Sequence, residues 1–298
     1  EYTLRRRAFA GTGVNKVIFP GTFTSIPAGT FSGSTIETIE FGPSIVRIEE
    51  GAFDNCADLI NVNYTGTIAD WCNIVFGSDS GNPLSYAENF IVGGERISDL
   101  VIPEGVEIIN GLAFYGYRLN SLTLPATLKT IGGSAFTYIE KLNYTGNIGS
   151  WCNIDFKYNP LTTTKILYIN DNQVTNLIID GTEKISANAF KGARFDGVTI
   201  KSSVKSIGYS AFENVTAKTL TIENGLTSID TQAFKSATFE NTKKLVLPST
   251  LTTIADETFS GVLLDEVAFN EGLISIGREA FTGTNLTQAI FPSTLTEI

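Results

Sequence analysis

The stretch FYGYRLNSLTLPATLKTIGGSAF, residues 114–136, holds one complete turn of a repeating chain. Its apolar side chains fall at Leu119, Leu122, Leu124, Leu128 and Ile131, and then at Ala135 and Phe136. Leu122 and Leu124 alternate with Thr123, a period of two that sends both leucines to one side of a short strand. Pro125 follows directly; it lacks an N–H and stops the strand ladder from continuing. The step from Leu128 to Ile131, with Gly132 and Gly133 after it, turns the chain back. Ala135 is small enough to let a coil close, and Phe136 fills the space between layers.

Outward from this turn, Ala-Phe or Thr-Phe pairs end at Phe9, Phe31, Phe53, Phe114, Phe136, Phe190, Phe212, Phe234, Phe259 and Phe281. Six of the nine intervals are 22 residues and one is 25. The other two, 61 and 54 residues, contain NYTGTIADWCNIVFGSDSGNPLS from Asn63 and NYTGNIGSWCNIDFKYNPLT from Asn143. Pro20, Pro103, Pro248 and Pro292 take the place of Pro125 in other turns. One such turn cannot bury its apolar face, whereas stacked turns share a continuous core. Outside the two long intervals no segment sustains a helical period for ten residues. The pattern predicts a β-rich solenoid, a right-handed coil of about 12 turns of ~22 residues with little helix.

The motif L-x-x-L-x-L-P-x-x-L-x-x-I-x-x-x-A-F at this spacing resembles the BspA-like class of leucine-rich repeat, over essentially the whole chain. It departs from the commoner leucine-rich consensus, which has Asn or Cys three residues after the last strand leucine. Here Thr127, Asn224 and Ser249 stand in that place, so no asparagine ladder is expected. The resemblance implies a bacterial or protist protein, secreted or displayed on the cell surface, several of whose relatives serve adhesion to host or microbial partners.

Composition narrows the function classes. The net charge is -10, from 21 Lys and Arg against 31 Asp and Glu, which disfavours nucleic acid and anionic membranes as partners. No apolar run approaches the ~18 residues a membrane span needs. The basic cluster Arg5 to Arg7 reads as a solvated loop. Histidine is absent, and with it the commonest general base, metal ligand and partner of a catalytic Ser or Cys. The carboxylates form no D-x-D-x-D-G calcium loop, and GGSAF and VGGERI lack the context of a phosphate loop. No cofactor, metal site or catalytic residue is expected.

Phe76 and Phe156 resolve the two long intervals. Phe53 to Phe76 is 23 residues and Phe136 to Phe156 is 20, each close to one repeat. The surplus, roughly residues 77–99 and 157–176, includes FIVGGERISDLVIP and ILYINDNQVTNLII, where apolar runs flank a turn in the manner of a hairpin. Each Trp-Cys segment therefore reads as a degenerate turn of the coil followed by a projecting hairpin. Trp71 and Trp151 are expected to fill a layer, with Cys72 and Cys152 packed beside them as small apolar groups. A nucleophilic role would need a cationic neighbour, and the nearest charges are carboxylates at Asp70 and Asp155. A Cys56–Cys72 disulfide across adjacent turns is the alternative pairing.

The residue 13 before each anchor should face outward from the strand ladder: Ile18, Glu40, Val101, Thr123, Thr199, Thr221, Val246, Ala268 and Ile290. β-Branched residues suit any strand face, but a contiguous apolar stripe on a solenoid also marks a protein-binding surface. Val101, Thr123, Thr199, Thr221 and Val246 are its central members. A glycan would want exposed aromatics, for which Tyr86, Phe90, Tyr158 and Tyr168 form the one cluster near the insertions. Residues 1–298 read as a single leucine-rich repeat domain, entered at LRRRAF and left at LTEI, both mid-repeat, so a longer parent chain is expected. The expected role is a non-enzymatic surface or secreted binding protein, with a host-matrix or microbial protein as partner. A structural spacer, or a carbohydrate-binding module, is the alternative.

Overall fold

Each turn of the repeat supplies one short parallel strand, in which alternate residues point in and out. The computed structural model describes residues 4–298, in two units, Glu1–Lys141 and Leu142–Ile298. Both are β-solenoids, and together they make about 12 turns with little helix.

In the first unit Lys16–Ile18, Thr38–Phe41, Asn61–Tyr64 and Asn89–Val92 pair in parallel, one strand per turn. In the second, Asn176–Ile179, Gly197–Ile200 and Thr219–Ile222 do the same, as do Lys244–Val246 and Glu266–Ala268. A second side of each coil is built from two-residue strands. Ser25–Ile26 pairs with Arg47–Ile48 in the first unit, and a five-strand ladder from Lys184–Ile185 to Ser275–Ile276 runs through the second. Their isoleucines are buried and their partners face out.

The third side is the anchor turn, closed by backbone bonds between layers. The Phe31 N–H donates to Ala52 O at 2.8 Å, Phe114 to Ala135 O at 2.8 Å, and Phe212 to Ala233 O at 2.7 Å. The residue two before each anchor lies in the left-handed region, often without being glycine: Leu112 has φ 64° and Gln232 has φ 59°. Such a conformation costs roughly 1–3 kcal/mol and persists only where the surroundings over-determine it. Here the interlayer bonds do so, Leu112 N–H reaching Gly133 O at 3.0 Å and Gln232 N–H reaching Asp256 O at 3.0 Å.

Inside this triangle the anchor rings stack. Phe31, Phe53, Phe114, Phe136, Phe190, Phe212, Phe234 and Phe259 are buried, and Phe281 is half-buried. Phe114 and Phe136 lie 5.3 Å apart and 3° from parallel, Phe212 and Phe234 5.0 Å and 4°. These separations follow the ~4.8 Å step between strands, so the backbone repeat sets the ring stack.

Outside, charge follows the same period. Lys191–Glu213, Lys201–Glu223, Lys218–Asp196, Lys235–Glu257 and Lys244–Glu266 each join residues 22 apart, hence neighbouring turns. Exposed pairs contribute only about 0–1 kcal/mol each, so their main effect is to favour the correct register over a slipped one. No helix among the described residues is long and apolar enough to cross a membrane.

The insertions differ from expectation in one respect. Each does form a hairpin, turning at Gly93 and Gly94 (φ 62° and 87°) and at Asn170 and Asp171 (φ 48° and 63°). Two successive positive φ values suit the twist of a two-residue hairpin loop. The hairpins do not project, however. The first strand of each is itself a layer, Asn89–Val92 on Asn61–Tyr64 and Leu167–Ile169 on residues 142–144. The return strands, Glu95–Arg96 and Asn172–Gln173, take up the open edge of that layer, and the strand row begins anew at Asp99–Val101 and Asn176–Ile179.

Candidate functional site

The outward stripe is a row of residues in ladder register. In the first unit Ile18 stands opposite Glu40, Glu40 opposite Asn63, and Asn63 opposite Ile91; Val101 stands opposite Thr123. In the second, Ile178, Thr199 and Thr221 follow one another, as do Val246 and Ala268. The apolar members are open to solvent: Val101 is 61% exposed, Val246 60%, Ile18 56% and Ile178 53%. Thr123 and Thr199 are half-buried and Thr221 is exposed. Asn63, Ile91 and Ile178 belong to the row but lie in the degenerate turns, where counting back from a phenylalanine anchor missed them. Their signal was the β-strand alternation around them, in NVNY and NLII.

The glycan cluster near the insertions does not form. Phe90 is fully buried, because it sits at the inward position of its strand opposite Val62, with its ring 4.5 Å from that of Trp71.

The Trp-Cys segments are structural, and their geometry is the same in both units. Thr67 caps a short helix, Ile68–Cys72, through Asp70, and Asn147 caps Ile148–Trp151 through Ser150. Each helix aims its tryptophan inward. Trp71 Nε1 donates to Ala113 O at 2.7 Å, and Trp151 Nε1 to Ala189 O at 2.8 Å. These are the carbonyls that precede the anchors Phe114 and Phe190. In ordinary turns the N–H of the previous anchor satisfies that carbonyl, but the degenerate turn has no anchor in place. The indole N–H replaces the missing backbone donor, which is why a large ring with a polar edge is used here.

A second polar group, overlooked in the sequence, completes the substitution. Asn82 is fully buried; its Nδ2 donates to Leu112 O at 2.6 Å and to Ala113 O at 3.3 Å, and its Oδ1 accepts from Leu84 N–H at 2.9 Å. Asn159 repeats this on Asn188 O, Ala189 O and Leu161 N–H at 2.8, 2.6 and 2.8 Å. The triplet Asn-Pro-Leu, present in both stretches, was the available signal.

All three cysteines are free and buried, so Cys56 and Cys72 are not joined. Burial pushes the Cys72 thiol up to about 12 and raises Cys152 as well. Burial also raises Cys56, against the opposing hydrogen bond from Ser34. A thiol with a raised pKa and no access is a poor nucleophile. In the folded protein a membrane-impermeant maleimide is therefore expected to label none of them within the time that fully labels the urea-unfolded chain. Mass spectrometry of the two samples checks this, and fast labelling of native Cys72 or Cys152 would contradict the packing.

A coil of ~22-residue turns with an outward strand row and a stacked aromatic core defines a leucine-rich repeat protein. More narrowly, the chain belongs to the BspA-type leucine-rich repeat family, whose repeat-region model matches residues 2–91, 86–177, 165–241 and 183–298. No curated protein matches the sequence. Among solved structures, a leucine-rich repeat protein from Bacteroides ovatus is 18% identical, with 96% of this chain and 83% of that one covered and a TM-score of 0.48. A leucine-rich cell surface protein from Faecalibacterium prausnitzii is 17% identical over 96% and 87% of the two chains, TM-score 0.45. The pneumococcal vaccine antigen PcpA is 17% identical over 95% and 65%, TM-score 0.34.

Proposed function

We infer that this protein is a non-enzymatic binding protein, secreted or held at a cell surface, which presents its outward strand rows to an extracellular protein of a host matrix or another microbe. The observation behind this reading is the solvent-exposed row of aliphatic and threonine side chains, with Glu40 its one charge, on a chain otherwise rich in surface charge. Apolar residues so exposed and so aligned suit a partner that covers them. Membership of the BspA-type family supports the surface setting, and the absence of histidine together with three buried thiols supports a non-catalytic role. The same repeat in both units supports reading residues 1–298 as one leucine-rich repeat domain.

The test is a screen of the purified chain against extracellular-matrix proteins and intact bacterial cells by surface plasmon resonance. Val101→Glu with Thr123→Glu in the first unit, and Thr199→Glu with Thr221→Glu and Val246→Glu in the second, are expected to leave folding within about 0.5 kcal/mol per site. One of the two variants should weaken binding at least about tenfold, the scale of a lost interface centre. Full binding by both would reject these rows, and a chain that folds but captures nothing would favour a spacer.

A further inference from the structure

We propose that the two-residue strand face of the second unit is a binding groove for an uncharged linear oligosaccharide. The outward residues of that face stand in register: Lys184 opposite Ser206, Ser206 opposite Ser228, Ser228 opposite Thr253. They line an open groove of about 600 Å³, flanked by Tyr209 and Asp230.

What separates this groove from the rest of the surface is the state of its polar groups. The hydroxyls of Ser206, Ser228 and Thr253 and the phenol of Tyr209 make no hydrogen bond among the described residues. Elsewhere hydroxyls between turns are engaged, Thr227 with Lys205 O at 2.9 Å and Thr250 with Leu226 O at 2.6 Å. The Lys184 ammonium is likewise unpaired, and Asp230 uses only Oδ1, on the Thr231 N–H at 2.7 Å.

The strand backbone beneath is occupied in its ladder, so the groove offers no edge for an added peptide strand. It does offer hydroxyls, each both donor and acceptor, repeated at the ~4.8 Å strand step. A chain of sugar rings, with hydroxyls along its edge, matches such a row. The Tyr209 ring, 44% exposed, gives a flat apolar platform for the C–H face of one sugar. One cation against one carboxylate, on a protein of net charge -10, selects against sulfated or uronic-acid glycans.

Calorimetric titration of the whole chain with hexamers of β-linked glucose, α-linked glucose, β-linked mannose and β-linked N-acetylglucosamine tests this. At least one should bind, and Tyr209→Ala and Ser228→Ala should each weaken it, Tyr209→Ala by about tenfold or more, with unchanged melting. The glutamate variants of the outward rows should retain full sugar binding, which separates this site from the protein-binding reading. The proposal is overturned if no hexamer binds, if Tyr209→Ala binds as wild type does, if a heparin hexamer displaces the neutral sugars, or if the groove takes up a peptide in their place.

Discussion

Trp71→Ala is expected to cost about 3–5 kcal/mol, the range for truncating a large buried aromatic. Trp71 is fully buried, with the rings of Phe41, Tyr64, Phe76 and Phe90 at 5.7, 5.1, 5.8 and 4.5 Å. Alanine would leave those rings facing a cavity and remove the 2.7 Å donor to Ala113 O. Asn82 Nδ2 at 3.3 Å remains, so the carbonyl is weakened rather than orphaned. Trp71→Phe separates the two contributions: it keeps most of the volume but loses the N–H, and should cost about 1–2 kcal/mol. Urea unfolding followed by far-ultraviolet circular dichroism measures both, with hydrogen exchange at Phe114 and its neighbours as a local readout. In a repeat array the loss can open one layer before the rest, so the local readout decides if the global transition broadens. A Trp71→Phe variant as stable as wild type would show that the indole N–H does not replace a backbone donor.

Gly132→Ala is expected to be the second most damaging change, at about 2–3 kcal/mol or more, while Gly133→Ala beside it should be neutral within about 0.5 kcal/mol. A Cβ on Gly132 would lie 2.2 Å from Gly111 N and 2.7 Å from Gly111 Cα, both backbone atoms of the neighbouring turn. Moving them apart would stretch the bonds from Gly132 N–H to Ile109 O, 2.8 Å, and from Leu112 N–H to Gly133 O, 3.0 Å. A Cβ on Gly133 meets nothing within 4 Å. The pair is its own control: equal stabilities in the two variants would contradict the close approach of the turns.

Those adjacent glycines show where sequence reading reached its limit. Gly132 and Gly133 both mark a turn, but only the layer beneath says which of them needs to lack a side chain. The anchors Phe31 to Phe281 were legible because a spacing of 22 residues is a local, countable property. The outward row was legible wherever an anchor lay 13 residues on, and missed at Asn63, Ile91 and Ile178, where the count breaks. The hairpin turns were legible from Gly93-Gly94 and Asn170-Asp171. That their return strands close one strand row and start another was not, because edge pairing depends on what lies beside a strand rather than along it.

The sequence by itself determined the repeat, the β-solenoid class, the inward and outward alternation and the burial of the Trp-Cys pairs. All of these follow from the spacing of apolar residues, which the chain carries locally. Only the tertiary structure decided what the tryptophans are for. Ala113 O and Ala189 O lack a backbone donor because a turn more than thirty residues earlier has no anchor, and Trp71 with Asn82, and Trp151 with Asn159, supply that donor across the gap. The unpaired hydroxyls of Ser206, Ser228 and Thr253 became visible the same way. Whether a polar group has a partner depends on neighbouring layers, and those neighbours exist only once the chain has coiled.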